Sequence, residues 1–163
     1  MAEIKRIIAR EILDSRGFPT IESIVELDDK SVGVYSVPSG ISVGKNEAVE
    51  LRDEDPARYA GKGVLTCLEK IARVLAPKLI VKDAKNQQEI DAMMIETDGS
   101  SNKQNLGANT ILVLSGAIIK AQAASEKMPL YQYISHLMGA PTDTFTIPTP
   151  MFNIINVGKH AGM

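Results

Sequence analysis

Apolar and polar positions alternate through the first forty residues and then settle into a helical period of about 3.6, so the chain predicts strands first and helices afterwards. Residues 4–12 are rich in β-branched side chains and run into a turn at Asp14-Ser-Arg-Gly-Phe-Pro19. Residues 20–27 alternate, with Ile21, Ser23, Val25 and Leu27 on one face and Glu22 and Glu26 on the other. Asp28-Asp29-Lys30 is a hairpin-type turn into a third strand over 31–37. Turns this short join antiparallel neighbours, because parallel pairing needs a long crossover.

Past residue 55 the pattern changes. Val64, Cys67, Leu68, Ile71, Val74 and Leu75 share one face of a helix that Pro77 is expected to end. Asp83 is the expected cap of a second helix carrying Ile90, Met93 and Met94 and stopped by Asp98-Gly99. Residues 109–125 form the most apolar helix, with Ala and Gly on several sides, which predicts burial among the others. Pro129 suits the first turn of a short helix through Leu137. Strands followed by helices specify an α+β fold: a three-stranded antiparallel β-meander, then a small helical bundle. Residues 139–145 read as a linker. The apolar stretch 146–156 reads as an extended strand with no partner, the start of a second domain.

Composition narrows the function classes. Apolar residues make up 44% of the chain, and 18 basic and 20 acidic side chains are scattered along it, for a net charge of −2. No basic face for nucleic acid and no polybasic run for a membrane surface is expected. Cys67 is the only cysteine, which fits a reducing, cytoplasmic setting. The longest mostly apolar run, 111–119, contains Ser115 and Gly116 and stops at Lys120, well short of a membrane span.

The most informative chemistry lies between Val37 and Asp53. Gly40 and Gly44 permit backbone conformations closed to other residues, and Ser39 and Ser42 offer oxygen ligands for a hard cation such as Mg²⁺. Three readings compete: a phosphate loop, a plain surface loop, and a lid that binds metal. The phosphate reading is the weakest. Gly40-Ile-Ser-Val-Gly-Lys45 is one residue short of the required spacing, and Asn46 stands where Ser or Thr should hold Mg²⁺.

Several segments, in order, carry a resemblance. Arg10-Glu-Ile-Leu-Asp-Ser-Arg-Gly-Phe-Pro-Thr20, Val37-Pro-Ser-Gly-Ile-Ser-Val-Gly44, Glu47-Ala-Val-Glu-Leu-Arg-Asp53 and Arg58-Tyr-Ala-Gly-Lys-Gly-Val64 are similar to enolase signatures. So are Asp98-Gly-Ser-Ser-Asn-Lys103, Leu106-Gly-Ala-Asn109, Pro129-Leu-Tyr131 and Pro150-Met-Phe-Asn-Ile-Ile-Asn156. The chain thus resembles an enolase amino-terminal capping domain (1–138), a linker (139–145) and a stub of a (β/α) barrel (146–163).

The resemblance implies an activity and a division of labour. Enolases convert 2-phosphoglycerate to phosphoenolpyruvate in glycolysis, and in this superfamily a Lys or His base works with one or two Mg²⁺ ions. In the family the base lysine, the acid glutamate and the carboxylates of the tighter metal lie on the barrel, so these residues alone are expected to be inactive. The resemblance assigns the lid to Ser39, Gly40, Ile41, Ser42, Val43 and Gly44, with Ser42 as the ligand of the second Mg²⁺. It places His160 beside the substrate and gives Arg16 and Glu22 to the interface of a homodimer. Cys67 and Met93-Met94 read as core, and His136 as a surface partner of its helix end.

The chain also departs from the family pattern. Phe18 stands for Asn, Ile41 for Ala, Val43 for Thr, Glu54 for Gly, and Val157 for the first Gly of a pair. A stand-alone enolase-like binding or assembly module without catalysis is the competing expectation.

Overall fold

The computed structural model describes residues 2–40, 44–141 and 143–155. Strands β1 (Ile4–Leu13), β2 (Pro19–Leu27) and β3 (Val32–Ser36) form an antiparallel sheet in the order β1-β2-β3. The register pairs Ile8 with Ile24 and Ile24 with Val34. Helices follow: α1 (Leu65–Lys70), a π-helical stretch Ile71–Leu75, α2 (Ala76–Leu79), α3 (Gln87–Asp98), α4 (Ala108–Ser125) and α5 (Leu130–Leu137). The predicted meander and the helices after it are both present.

Alternation in β2 decides which side of the sheet is covered. Ile21, Ser23, Val25 and Leu27 are buried, whereas Glu22, Ile24 and Glu26 are only half-buried. The buried face packs on α4, whose Val113, Leu114, Ala117, Ile118 and Ala121 complete the core with Cys67, Ile71 and Leu75. A fully buried Val, Leu or Ile side chain contributes about 1.5–3 kcal/mol, so this layer supplies most of the stabilisation. Met94 is buried and Met93 half-buried, and His136 is exposed in the last turn of α5.

Two glycines set how closely the layers meet. A Cβ on Gly33 would lie 2.0 Å from the Ala117 carbonyl oxygen and 2.3 Å from the Ala121 nitrogen. A Cβ on Gly116 would lie 2.5 Å from the Tyr35 ring. Glycine at 33 lets the strand and helix backbones touch, where neither can swing aside, and glycine at 116 leaves room for the Tyr35 ring.

Three local expectations are corrected. Pro77 does not end the helix, which continues to Leu79. The π-helical stretch before it leaves Pro77 in the first turn of α2, where a missing N–H goes unnoticed. Asp83 does not cap α3; the flanking position is Asn86, without a side-chain cap bond. Asp83 instead accepts the Lys85 amide at 3.1 Å and bridges Glu3, stitching the chain's start to this turn. The strand expected over 146–156 is not formed in its described part. A strand exists by pairing, and residues 144–155 carry no regular structure, with Ile147 90% and Met151 95% exposed.

We expect Gly33→Ala to lower stability by about 3 kcal/mol, since overpacking against backbone cannot relax. Urea unfolding followed by far-UV circular dichroism reads this directly. A loss below about 1 kcal/mol would show that β3 and α4 can part.

Candidate functional site: the stem of the glycine loop

The residues flanking 41–43 are held by bonds from four separate parts of the chain. On the entering side, Val37 donates its amide to Ile21 at 3.0 Å and accepts the Thr20 hydroxyl at 2.6 Å, fixing the exit of β3. Ser39 is half-buried and gripped by two guanidinium groups. Arg16 donates Nη2 to its carbonyl at 3.1 Å, and Arg52 donates Nη2 to its hydroxyl oxygen at 3.1 Å. On the leaving side, the Glu47 carboxylate accepts the Gly44 amide at 2.7 Å, and the Glu47 amide bonds the Gly44 carbonyl at 3.2 Å. Gly40 and Gly44 are themselves exposed.

Residues 47–53 continue the stem without helix or strand, so their peptide groups need tertiary partners. The Val49 amide bonds the Asn102 carbonyl at 2.8 Å, and the Val49 carbonyl accepts the Ala108 amide at 2.8 Å. Asn109, buried at the start of α4, exchanges two bonds with the Leu51 backbone at 3.0 and 3.1 Å. The Asp53 carboxylate accepts the Leu65 and Thr66 amides at 2.8 Å each, capping α1 from outside the helix. A phosphate loop would run into a helix after Lys45; here Lys45 and Asn46 form a turn, and a helical segment first appears at Tyr59–Gly61.

A charge network braces the stem's far end. Arg58 reaches Glu11 through both amine nitrogens, one of them at 3.0 Å, and lies 3.7 Å from Asp53. Glu11 also accepts the Val64 amide at 3.0 Å. The Arg58 hydrogen bond holds the Glu11 carboxyl below its usual range, against the opposing effect of burial. Burial pushes the Asp53 carboxyl up, but the Thr66 and Leu65 amides outweigh it and leave it lowered.

Two departures from the family pattern become physical statements. Phe18, where the pattern has Asn, places its ring under the Lys62 ammonium at 3.6 Å and beside Arg16 at 5.7 Å, joining the first turn to the 61–63 turn. Glu54, where the pattern has Gly, sits in the left-handed region at φ 59°, a conformation that strains a side-chain-bearing residue.

With this geometry in view, the family comparison is decisive: the model of the enolase N-terminal domain matches residues 4–134. The chain belongs to the enolase N-terminal domain family.

The residues singled out by the enolase resemblance fall in three groups. Ser39, Gly40 and Gly44 belong to the stem just described. Ile41, Ser42, Val43, Val157 and His160 lie outside the described residues. Arg16 and Glu22 are engaged within the chain. Arg16 pairs with Asp14 at 3.0 Å, and Glu22 accepts Arg10 Nε at 2.7 Å and the Ser36 hydroxyl at 2.8 Å. The Ser36 hydroxyl, then Arg10, lowers the Glu22 carboxyl. Both Ser39 oxygens face guanidinium groups, a poor setting for a cation, so Ser39 does not fit a Mg²⁺ ligand in this arrangement. No group of three or more His, Cys, Asp or Glu positioned for a metal occurs among the described residues. No helix among them is long and apolar enough to cross a membrane. Cys67 is buried, which raises its thiol pKa.

Sequence reasoning missed Arg52, Asp53, Glu11 and Asn109 as organisers of the stem. Their partners lie up to 58 positions away, as for Leu51 and Asn109, so no local spacing signals them.

Folding lowers the Glu11 and Asp53 carboxyl pKa values, so their stabilisation is complete only above the unfolded carboxyl range, about pH 5, and disappears as pH falls through the lowered values. We expect Glu11→Gln to reduce the loss of stability between neutral and acid pH, measured as urea midpoints across a pH series. A profile parallel to that of the unmodified chain would contradict the assignment.

Proposed function

We propose that this chain supplies the loop-bearing part of an enolase active site, whose parent reaction dehydrates 2-phosphoglycerate to phosphoenolpyruvate with Mg²⁺. The observation that carries this reading is the anchored stem. Ser39 on one side and Gly44 on the other are fixed by side chains from distant segments, as a loop needs if it is to reach one defined place over a substrate. In this reading residues 1–138 form the capping domain, 139–145 the linker and 146–163 the beginning of a barrel. The exposed apolar side chains Ile147, Met151, Phe152, Ile154 and Ile155 support that division, because they suit burial in a sheet that other strands would complete.

The residues have distinct roles. By the enolase resemblance Ser42 would be the residue that holds the second Mg²⁺, and Ser39 and Gly40 set where the loop begins. The resemblance gives His160 the role of the residue that would approach the substrate. The chemistry that Mg²⁺ would supply when bound is neutralisation of the substrate carboxylate, which would acidify the α-proton. The resemblance assigns the base lysine, the acid glutamate and the carboxylates of the tighter metal to the barrel, so residues 1–163 by themselves are expected to be inactive. Pairing through Arg16 and Glu22 in a homodimer would exchange their present bonds to Asp14, Ser39, Arg10 and Ser36 for bonds to a partner.

Two measurements test the reading. The purified chain with 2-phosphoglycerate and Mg²⁺ should form no phosphoenolpyruvate; a rate proportional to its concentration would overturn the predicted inactivity. A chimera joining residues 1–138 to the barrel of an active enolase should turn over. Ser42→Ala in that chimera should lower kcat by about a hundredfold, the scale seen when a group stabilising developing charge is lost. Turnover indifferent to Ser42 would remove the lid assignment.

A further inference from the structure

The Arg52 side chain is only 19% exposed, yet it carries a full charge. Burying a guanidinium is costly unless its donors are satisfied. Here its two terminal nitrogens meet four acceptors from four different segments. Nη1 donates to the Pro19 carbonyl at 2.6 Å and the Lys62 carbonyl at 2.8 Å. Nη2 donates to the Ser39 hydroxyl at 3.1 Å and to the Glu50 carboxylate. These acceptors belong to the start of β2, the stem of the glycine loop, the segment after the loop, and the turn before α1. Glu50 supplies the counter-charge, and the two carbonyls fix the plane of the guanidinium. The hydroxyl of Ser39 is the one acceptor in the set that lies on the entering side of the loop.

We propose that Arg52 is the positioning residue of the glycine loop, using a guanidinium locked by Pro19, Lys62 and Glu50 to fix the Ser39 hydroxyl and hence the direction in which the chain leaves for Gly40. The planar fork is essential. Lysine keeps the charge but offers a point donor that cannot satisfy four acceptors in two directions. Arg16 assists from the other side through the Ser39 carbonyl, so the residue is held at both ends of its own backbone and side chain. The functional meaning rests on the lid reading above, whereas the positioning itself does not.

The test is backbone ¹⁵N relaxation on the full 163-residue chain, which needs neither metal nor substrate. In the unmodified chain Ser39 and Gly40 should show order parameters near those of β2, about 0.85. Arg52→Lys should lower them below about 0.6 at Ser39 and Gly40 while β2 and α4 keep their values. Because Arg52→Lys also weakens the Pro19 and Lys62 contacts and could impair folding, Ser39→Ala provides a second arm. It removes one acceptor and should loosen Gly40 while β2 and α4 keep their order parameters. Gly40 unaffected in Ser39→Ala, or a loss of order spread evenly over β2 and α4 in Arg52→Lys, would overturn the proposal. If the chimera proves indifferent to Ser42 but these order parameters fall as expected, the lid reading fails and the positioning role stands.

Discussion

The structure depends on satisfying a stretch of backbone that belongs to neither helix nor strand. Residues 47–53 run past the start of α4 and the start of α1, and their peptide groups cannot bond one another. An unpaired peptide group in such a place costs about as much as a lost hydrogen bond, so partners have to come from elsewhere. Asn109 supplies both a donor and an acceptor to Leu51, Val49 pairs with Asn102 and Ala108, and Asp53 turns the constraint around by capping α1. A single irregular strap thereby joins the sheet side, α1 and α4.

This strap helps give the two ends of the glycine loop, Ser39 and Gly44, a defined place. A loop between two free ends would sample many directions, and any site it completed would bear the entropy of fixing it. Here the entering end follows β3 into Ser39, and the leaving end begins a segment bonded into the core. Arg52 sits on that segment and reaches back to the entering end, so the two ends are tied to each other as well as to the domain. Membership of the enolase N-terminal domain family, shown over 4–134, gives this architecture its setting.

Much of the fold was legible in the sequence because its signals are local. Alternation in 20–27 identified the buried face of β2, and Pro129 and the apolar run of 109–125 marked α5 and α4 to within a residue. What was not legible depends on distant partners. Pro77 reads as a helix end unless the π-helical turn ahead of it is known. Asp83 reads as a cap until its bridge to Glu3 is seen. For the candidate site, the glycines and serines stand out as a motif, but the residues that hold them do not. Arg52 looks like one more charge in a charged run, and Glu11 like the polar face of an edge strand. Glu54 shows the opposite case: a departure from a family pattern flagged a position that proves to need left-handed backbone.

The central claim is that 47–53 is part of the folded core despite having no regular secondary structure. Native-state hydrogen exchange on the unmodified chain tests it most directly. The Val49, Leu51 and Asp53 amides, together with the Leu65 and Thr66 amides capped by Asp53, should exchange only with global unfolding, as the amides of α4 do. Exchange of those amides through low-energy local opening, at free energies well below those of α4, would contradict the account.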